Sequence, residues 1–121
     1  MSGDPFPKAS QLARGERRYR RKIASPKQWQ AIIAAKGKRC RLCASPAWIQ
    51  YHHLVPRDRY GDDVEDNIVP LCLVDHELVT RAHRLALYRL GESLTDAEYA
   101  YVVAKLGEGG MERLFGVSRG A

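Results

Sequence analysis

The rhythm of apolar and polar positions changes several times along this chain. Residues 1–13, with Gly3, Pro5, Pro7 and Ser10, show no periodicity and read as a flexible leader. The first helix is predicted from Ser25-Pro26: Trp29, Ile32 and Ile33 recur at helical spacing. Ser25 suits the N-cap, Pro26 the first helical position and Gln28 the far end of a capping box. Gly37 closes the helix in a left-handed cap. Residues 39–75 then lose that period. Arg39-Cys40-Arg41-Leu42-Cys43 is a tight turn, and Trp48 to Val55 is rich in the aromatic and β-branched residues that strands favour. A polar loop from Asp58 to Asp66, containing Gly61, leads to a second strand-like run, Ile68-Val69-Pro70-Leu71. Pro70 denies that run a central place in a large sheet, so a two-stranded ribbon with a long connection is expected.

From about Asp75 the helical period returns. Leu78, Ala82 and Leu85 fall on one side, Leu90 follows, and Gly91 is the expected terminator. A last helix starts at Thr95-Asp96-Ala97-Glu98, which has the form of a capping box. Tyr99, Val102, Val103 and Leu106 give it an apolar stripe, and Gly107 is expected to close it. The Gly109-Gly110 pair and Ser118–Ala121 read as loosely ordered, and no internal repeat is visible.

Composition narrows the class. At 121 residues, 45% hydrophobic and 28% charged, the chain suits one globular domain. No apolar run approaches the roughly 18 residues that span a bilayer, and the first residues lack a signal-peptide core. Three cysteines cannot all pair within one chain, which favours a reducing, intracellular and hence cytoplasmic setting over a disulfide framework. The net charge of +6 is unevenly spread: residues 1–39 hold eleven basic and two acidic side chains, residues 40–121 nine and twelve. An electropositive arm on a mildly acidic body points to a polyanion. The cluster Arg14, Arg17, Arg18, Arg20, Arg21 and Lys22 has almost no apolar face, which favours nucleic acid over a membrane surface. The expected division is a flexible basic arm at 1–24, a domain at 25–91 with its core at 38–85, and a helical extension at 92–121 packing on the same domain.

Two constellations in the middle carry chemistry. Cys40-x-x-Cys43 is a short thiolate turn of the kind that grips zinc, and Cys72-x-x-Asp75 has the same span with a carboxylate in the last position. Together they offer four ligands from two turns, enough for a closed tetrahedral structural zinc site. Alternatively Cys72 is a small buried apolar residue and Asp75 a helix N-cap. The second constellation is His52-His53, Asn67 and His76. Adjacent imidazoles on a strand point to opposite faces, so the pair needs two different jobs, or a local irregularity that turns both to one cleft. One buried and one exposed histidine without further role is the plain alternative.

His52-His53-x-x-Pro56-Arg57, followed by Asn67-Ile68-Val69-Pro70-Leu71-Cys72-x-x-Asp75-His76, resembles the HNH endonuclease pattern, with the upstream Cys-x-x-Cys in place. The resemblance covers about residues 38–80, and the flanks are similar to small HNH proteins of bacteriophages and prophages. It implies an α+β fold built on a ββα-metal core, two antiparallel strands and a helix clasping one divalent cation, beside a zinc-ribbon-like pair of knuckles. It implies that His53 is the general base that takes a proton from the attacking water, a task suited to imidazole with its ordinary pKa of about 6.5. His52 and His76 are then the metal ligands, Asn67 fixes the connecting loop and holds the base in orientation, and Arg57 contacts the phosphate.

This chain departs from the family pattern at two places. Asp75 replaces the usual second cysteine of the second turn, which weakens the expected grip on zinc. Thr80 occupies the position where some members carry a third metal ligand. His83 lies three residues further, about 10.5 Å along a helix from His76, too far to share its ion without a helix break. With two protein ligands the catalytic cation keeps several waters, which suits Mg²⁺ or Mn²⁺, while imidazoles also admit Ni²⁺, Co²⁺ or Zn²⁺. The implied activity is metal-dependent hydrolysis of DNA phosphodiester bonds in a phage-associated enzyme, with phage packaging proteins as candidate partners. The competing reading is a non-catalytic zinc-ribbon nucleic-acid-binding protein or packaging adaptor.

Overall fold

The computed structural model describes residues 20–120. Among these the order is helix α1 (Pro26–Lys36), strand β1 (Gln50–His53), 3-10 turns at Arg57–Arg59 and Glu65–Asn67, strand β2 (Ile68–Leu71), and helices α2 (Leu73–Thr80), α3 (Arg84–Ser93) and α4 (Asp96–Phe115). This small α+β chain therefore has a two-stranded antiparallel sheet at its centre, as the sequence pattern predicts. The register pairs Gln50 with Leu71, Tyr51 with Pro70, His52 with Val69 and His53 with Ile68. Pro70 lacks an N–H, but its carbonyl accepts from Arg41 N–H at 2.8 Å, so the cysteine turn is stitched to this strand. The strand at the front of the ribbon is shorter than expected. Trp48 sits at positive φ and is 79% exposed, outside the ladder, while Leu54 and Val55 leave the strand and are buried.

Both predicted capping boxes are formed. Ser25 and Gln28 satisfy each other's backbone N–H at the start of α1, and Thr95 and Glu98 do so at the start of α4. Gly37 follows α1 at positive φ, 82°, but its ψ of −176° is extended, so it is not the expected left-handed cap.

The second half differs from expectation at three places. The helix expected from Asp75 to Gly91 is two helices, because the chain turns at Ala82, whose φ is 60°. His83 N–H bonds Leu78 C=O and Ala82 N–H bonds Val79 C=O, the paired bonds of a Schellman cap with alanine in the usual glycine position. Gly91 is buried inside α3 instead of ending it: a Cβ there would lie 2.8 Å from Phe115 Cβ and 2.9 Å from Val117 Cγ2. Gly107, at a non-helical φ of 78° and ψ of 167°, ends the first stretch of α4 as expected, but a second helical stretch follows across the kink, through Gly109 and Gly110. The helix resumes because Met111 and Phe115 both bury into the core, carrying Gly109 and Gly110 with them, and Gly116 makes the left-handed cap. The tail is also tied down: Val117 is buried, and Arg119 bonds the Leu94 carbonyl at 2.6 Å and stacks over Tyr99.

One core serves the whole arrangement. Leu54, Val55, Val69 and Leu71 from the ribbon meet Val79, Leu90, Val102, Met111 and Phe115 from the helices. Glu98 is fully buried beside it, held by Arg41 at 2.7 Å and Lys36 at 2.5 Å, so one carboxylate joins α1, the cysteine turn and α4. No helix among the described residues is long and apolar enough to cross a membrane.

Candidate active site and metal centre

The strand alternation sends the two adjacent histidines of β1 to different sides, as the period of two requires. His52 turns to α2, where its ring meets that of His76 edge-on with centroids 5.4 Å apart. Two imidazoles bound to one ion at bond lengths of about 2.1 Å would have centroids about 5 Å apart, so this pair is spaced to share a cation. Burial first, then the neighbouring His76 and His53, depress His52 to about 4. It is therefore neutral across the physiological range and offers a lone pair.

His53 turns toward α1 and the connecting loop. Its ring stacks on Trp29, 6.0 Å between centroids and 14° from parallel, and Nε2 lies 2.8 Å from Asp63 Oδ1. Asp63 also takes the Arg21 guanidinium on Oδ1 and the Ala24 N–H on Oδ2 at 3.0 Å. Burial works to raise the Asp63 carboxyl. The hydrogen bonds from His53 and Ala24 and the charge of Arg21 outweigh it and hold the group below the usual carboxylate range.

The loop between the strands is fixed from within. Asn67, fully buried, accepts from Val55 N–H at 2.7 Å and donates to Val55 C=O at 3.1 Å and Asp62 C=O at 2.9 Å. Gly61 is required here by space: a Cβ would stand 1.7 Å from the Val55 carbonyl oxygen. Asp62 is anchored by Tyr101 Oη at 2.7 Å, Lys105 at 2.9 Å and the Lys22 N–H at 2.6 Å.

At the start of α2, the ligand atoms of Cys40, Cys43, Cys72 and Asp75 all lie within 4.8 Å of one another. Cys43 Sγ to Cys72 Sγ is 3.7 Å, and Asp75 Oδ2 is 3.1 Å from Cys40 Sγ and 3.3 Å from Cys72 Sγ. Tetrahedral thiolates bonded at about 2.3 Å have edges of about 3.8 Å, so the donor set and its spacing fit a metal such as zinc. Backbone N–H groups of Leu42 and Asp75 point at Cys40 and Cys72 sulfur, each at 3.4 Å, as donors that favour a thiolate. Cys72 is the N-cap of α2 and Asp75 lies in its first turn, so the knuckle and the helix start are one structure.

Residues 40–81 match the model of a known family, the HNH endonucleases. That segment is similar to HNH endonucleases. No curated protein and no solved structure matches the chain. The matched segment runs from the first cysteine through the ribbon to the end of α2, so it holds both constellations.

The fold brings together His52 with His76, His53 with Asp63, and the four knuckle residues. It leaves Arg57 apart, exposed in the turn after Pro56. Thr80 ends α2 and is exposed. His83 caps α3, its Nδ1 accepting from Ala86 N–H at 3.3 Å, so the helix break spends that imidazole on the backbone. Of the basic cluster, Arg14, Arg17 and Arg18 lie outside the described residues. Arg20 is exposed, whereas Arg21 turns inward, its Nε on the Gly61 carbonyl at 2.8 Å and its guanidinium on Asp63. Arg21, expected among the nucleic-acid contacts, thus has its guanidinium paired within the loop between the strands. Asp63, Asp62 and Trp29 were not singled out from sequence. Their signals were ordinary ones, acidic residues in a polar loop and an aromatic on a helix stripe, and only the fold joins Asp63 and Trp29 to His53.

Proposed function

We propose that this chain is a divalent-metal-dependent endonuclease that hydrolyses DNA phosphodiester bonds, with His53 as general base and His52 and His76 as ligands of the catalytic ion. The observation that carries the reading is the division of the histidine pair inside an HNH segment: one ring faces His76, the other faces an aspartate. A divalent cation held by His52 and His76 would neutralise charge on the scissile phosphate and on the departing 3′ oxygen. His53 takes a proton from water as the water oxygen bonds phosphorus. The bond from phosphorus to the 3′ oxygen breaks, and that oxygen takes a proton from solvent, leaving 5′-phosphate and 3′-hydroxyl ends. Two protein ligands leave the ion room for water, which suits Mg²⁺ or Mn²⁺, with Ni²⁺, Co²⁺ or Zn²⁺ also compatible with imidazole.

In the same proposal Cys40, Cys43, Cys72 and Asp75 hold a structural zinc that joins the cysteine turn to α2. Asn67 holds the loop behind His53. Arg14, Arg17, Arg18, Arg20 and Lys22 supply salt-sensitive affinity for the DNA backbone by displacing counterions, and Arg57 contacts phosphate near the base. Incubation with supercoiled plasmid in Mg²⁺ or Mn²⁺ tests the reading. Nicking that EDTA abolishes, with 5′-phosphate ends, supports it. DNA binding without cleavage under every divalent ion would instead favour the zinc-ribbon binding protein.

A further inference from the structure

We infer that Asp63 is the positioning residue for His53, held in place by Arg21 and Ala24 from the segment that precedes α1. The inference rests on the reading of His53 as general base and assigns the group that orients it.

The carboxylate is fixed on every side. Oδ1 receives His53 Nε2 and the Arg21 guanidinium, Oδ2 receives Ala24 N–H, and the Asp63 backbone N–H bonds the Lys22 carbonyl at 2.8 Å. Its side chain is 8% exposed and that of His53 11%, so water competes weakly for the bond between them. An ionised carboxylate only accepts hydrogen bonds, which places the ring proton on Nε2 and leaves Nδ1 as the acceptor. The Trp29 ring lies along the imidazole and holds its plane. When His53 takes a proton from water it becomes a cation, and Asp63 already stands opposite the far nitrogen to stabilise that charge.

Asn67 does not fill this role. Its amide is spent on Val55 and Asp62, and no hydrogen bond joins it to His53. The work is therefore divided. Asn67 sets the path of the loop through Asp62 C=O, and the next residue along that loop, Asp63, sets the ring. Arg21 adds a requirement from 42 residues away, because the end of the basic segment must be docked for the carboxylate to be held.

The test uses the full chain, a labelled DNA duplex and Mn²⁺ under single-turnover conditions, with DNA affinity measured separately. Asp63→Asn keeps the size and an acceptor oxygen but loses the charge. Its cleavage rate is expected to fall by about 10²- to 10⁴-fold, the span that positioned acid–base groups supply, with DNA affinity within about twofold of wild type. Asp63→Asn that cuts within about threefold of the wild-type rate would overturn the inference. A second measurement needs no variant: long-range ¹⁵N–¹H spectra of the wild-type His53 ring are expected to show the Nε2–H tautomer. The Nδ1–H tautomer would overturn the inference even if the variant failed to fold. A wild-type chain inert with every divalent ion overturns the nuclease reading itself, which is a different result from an active wild type matched by Asp63→Asn.

Discussion

Asn67 and Val55 are joined by a reciprocal pair of hydrogen bonds: the Asn67 amide oxygen accepts from Val55 N–H at 2.7 Å, and its NH₂ donates to Val55 C=O at 3.1 Å. Both residues are fully buried, so these backbone groups have no water to turn to. Asn67→Ala is expected to cost about 2–4 kcal/mol, since each orphaned buried group costs about 1–3 kcal/mol. Asn67→Asp is expected to be no milder, because a carboxylate would face the carbonyls of Val55 and Asp62. Urea denaturation of both variants checks this, and a loss under about 0.5 kcal/mol would contradict the clamp.

Glu98 ties acid stability to three elements. Burial works to raise its carboxyl, but the hydrogen bonds from Arg41, Lys36 and the Thr95 N–H hold it at about 2, against an ordinary 4.5. A depressed carboxylate stabilises the fold above its unfolded value, and that contribution drains away as pH falls from about 4.5 towards 2. The shift corresponds to about 3 kcal/mol. Glu98→Gln should therefore be less stable than wild type at pH 7, and the gap should narrow as pH falls from about 4.5 towards 2. Denaturation midpoints across that range measure it; a gap independent of pH would contradict it.

Ala82 occupies the left-handed position of a Schellman cap at a cost of roughly 1–2 kcal/mol, partly offset by its lower unfolded-state entropy. Ala82→Gly should raise stability by about 0.5–1 kcal/mol, read as a higher Tm. An unchanged or lower Tm would show that the turn is not strained.

The knuckle cluster predicts one tightly held metal per chain that a strong chelator removes with a fall in Tm. Asp75→Cys replaces the single hard oxygen with a thiolate and should slow zinc release to a chelator by tenfold or more. Faster release from Asp75→Cys would mean that Asp75 is not the fourth ligand.

What could be read in advance was local. The capping boxes at Ser25 and Thr95, the two short strand-like runs and the matched cysteine turns each depend on residues a few positions apart. Features set by distant contacts were hidden. Ala82 looks like an ordinary helical alanine, and the turn there is visible only once α2 and α3 pack on the same core. Gly91 reads as a helix stop until Phe115 and Val117 are seen against it. Gly107 does stop the first stretch of α4, but the helix beyond it is seen only once Met111 and Phe115 pack into the core. Asp63 gains its place only when Arg21 and Ala24 close over the loop. The same docking alters the view of charge: the basic segment and the body of the fold are not wholly separate, since the last residues of that segment hold Asp63 against the ring of His53.

The most direct test of the account is nicking of supercoiled plasmid by wild type and by His53→Ala, side by side in Mg²⁺ or Mn²⁺, with DNA affinity and folding measured on both. The account predicts metal-dependent cleavage by wild type and a loss of at least about 10²-fold in His53→Ala, with affinity and fold preserved. Equal cleavage by a folded His53→Ala would contradict it.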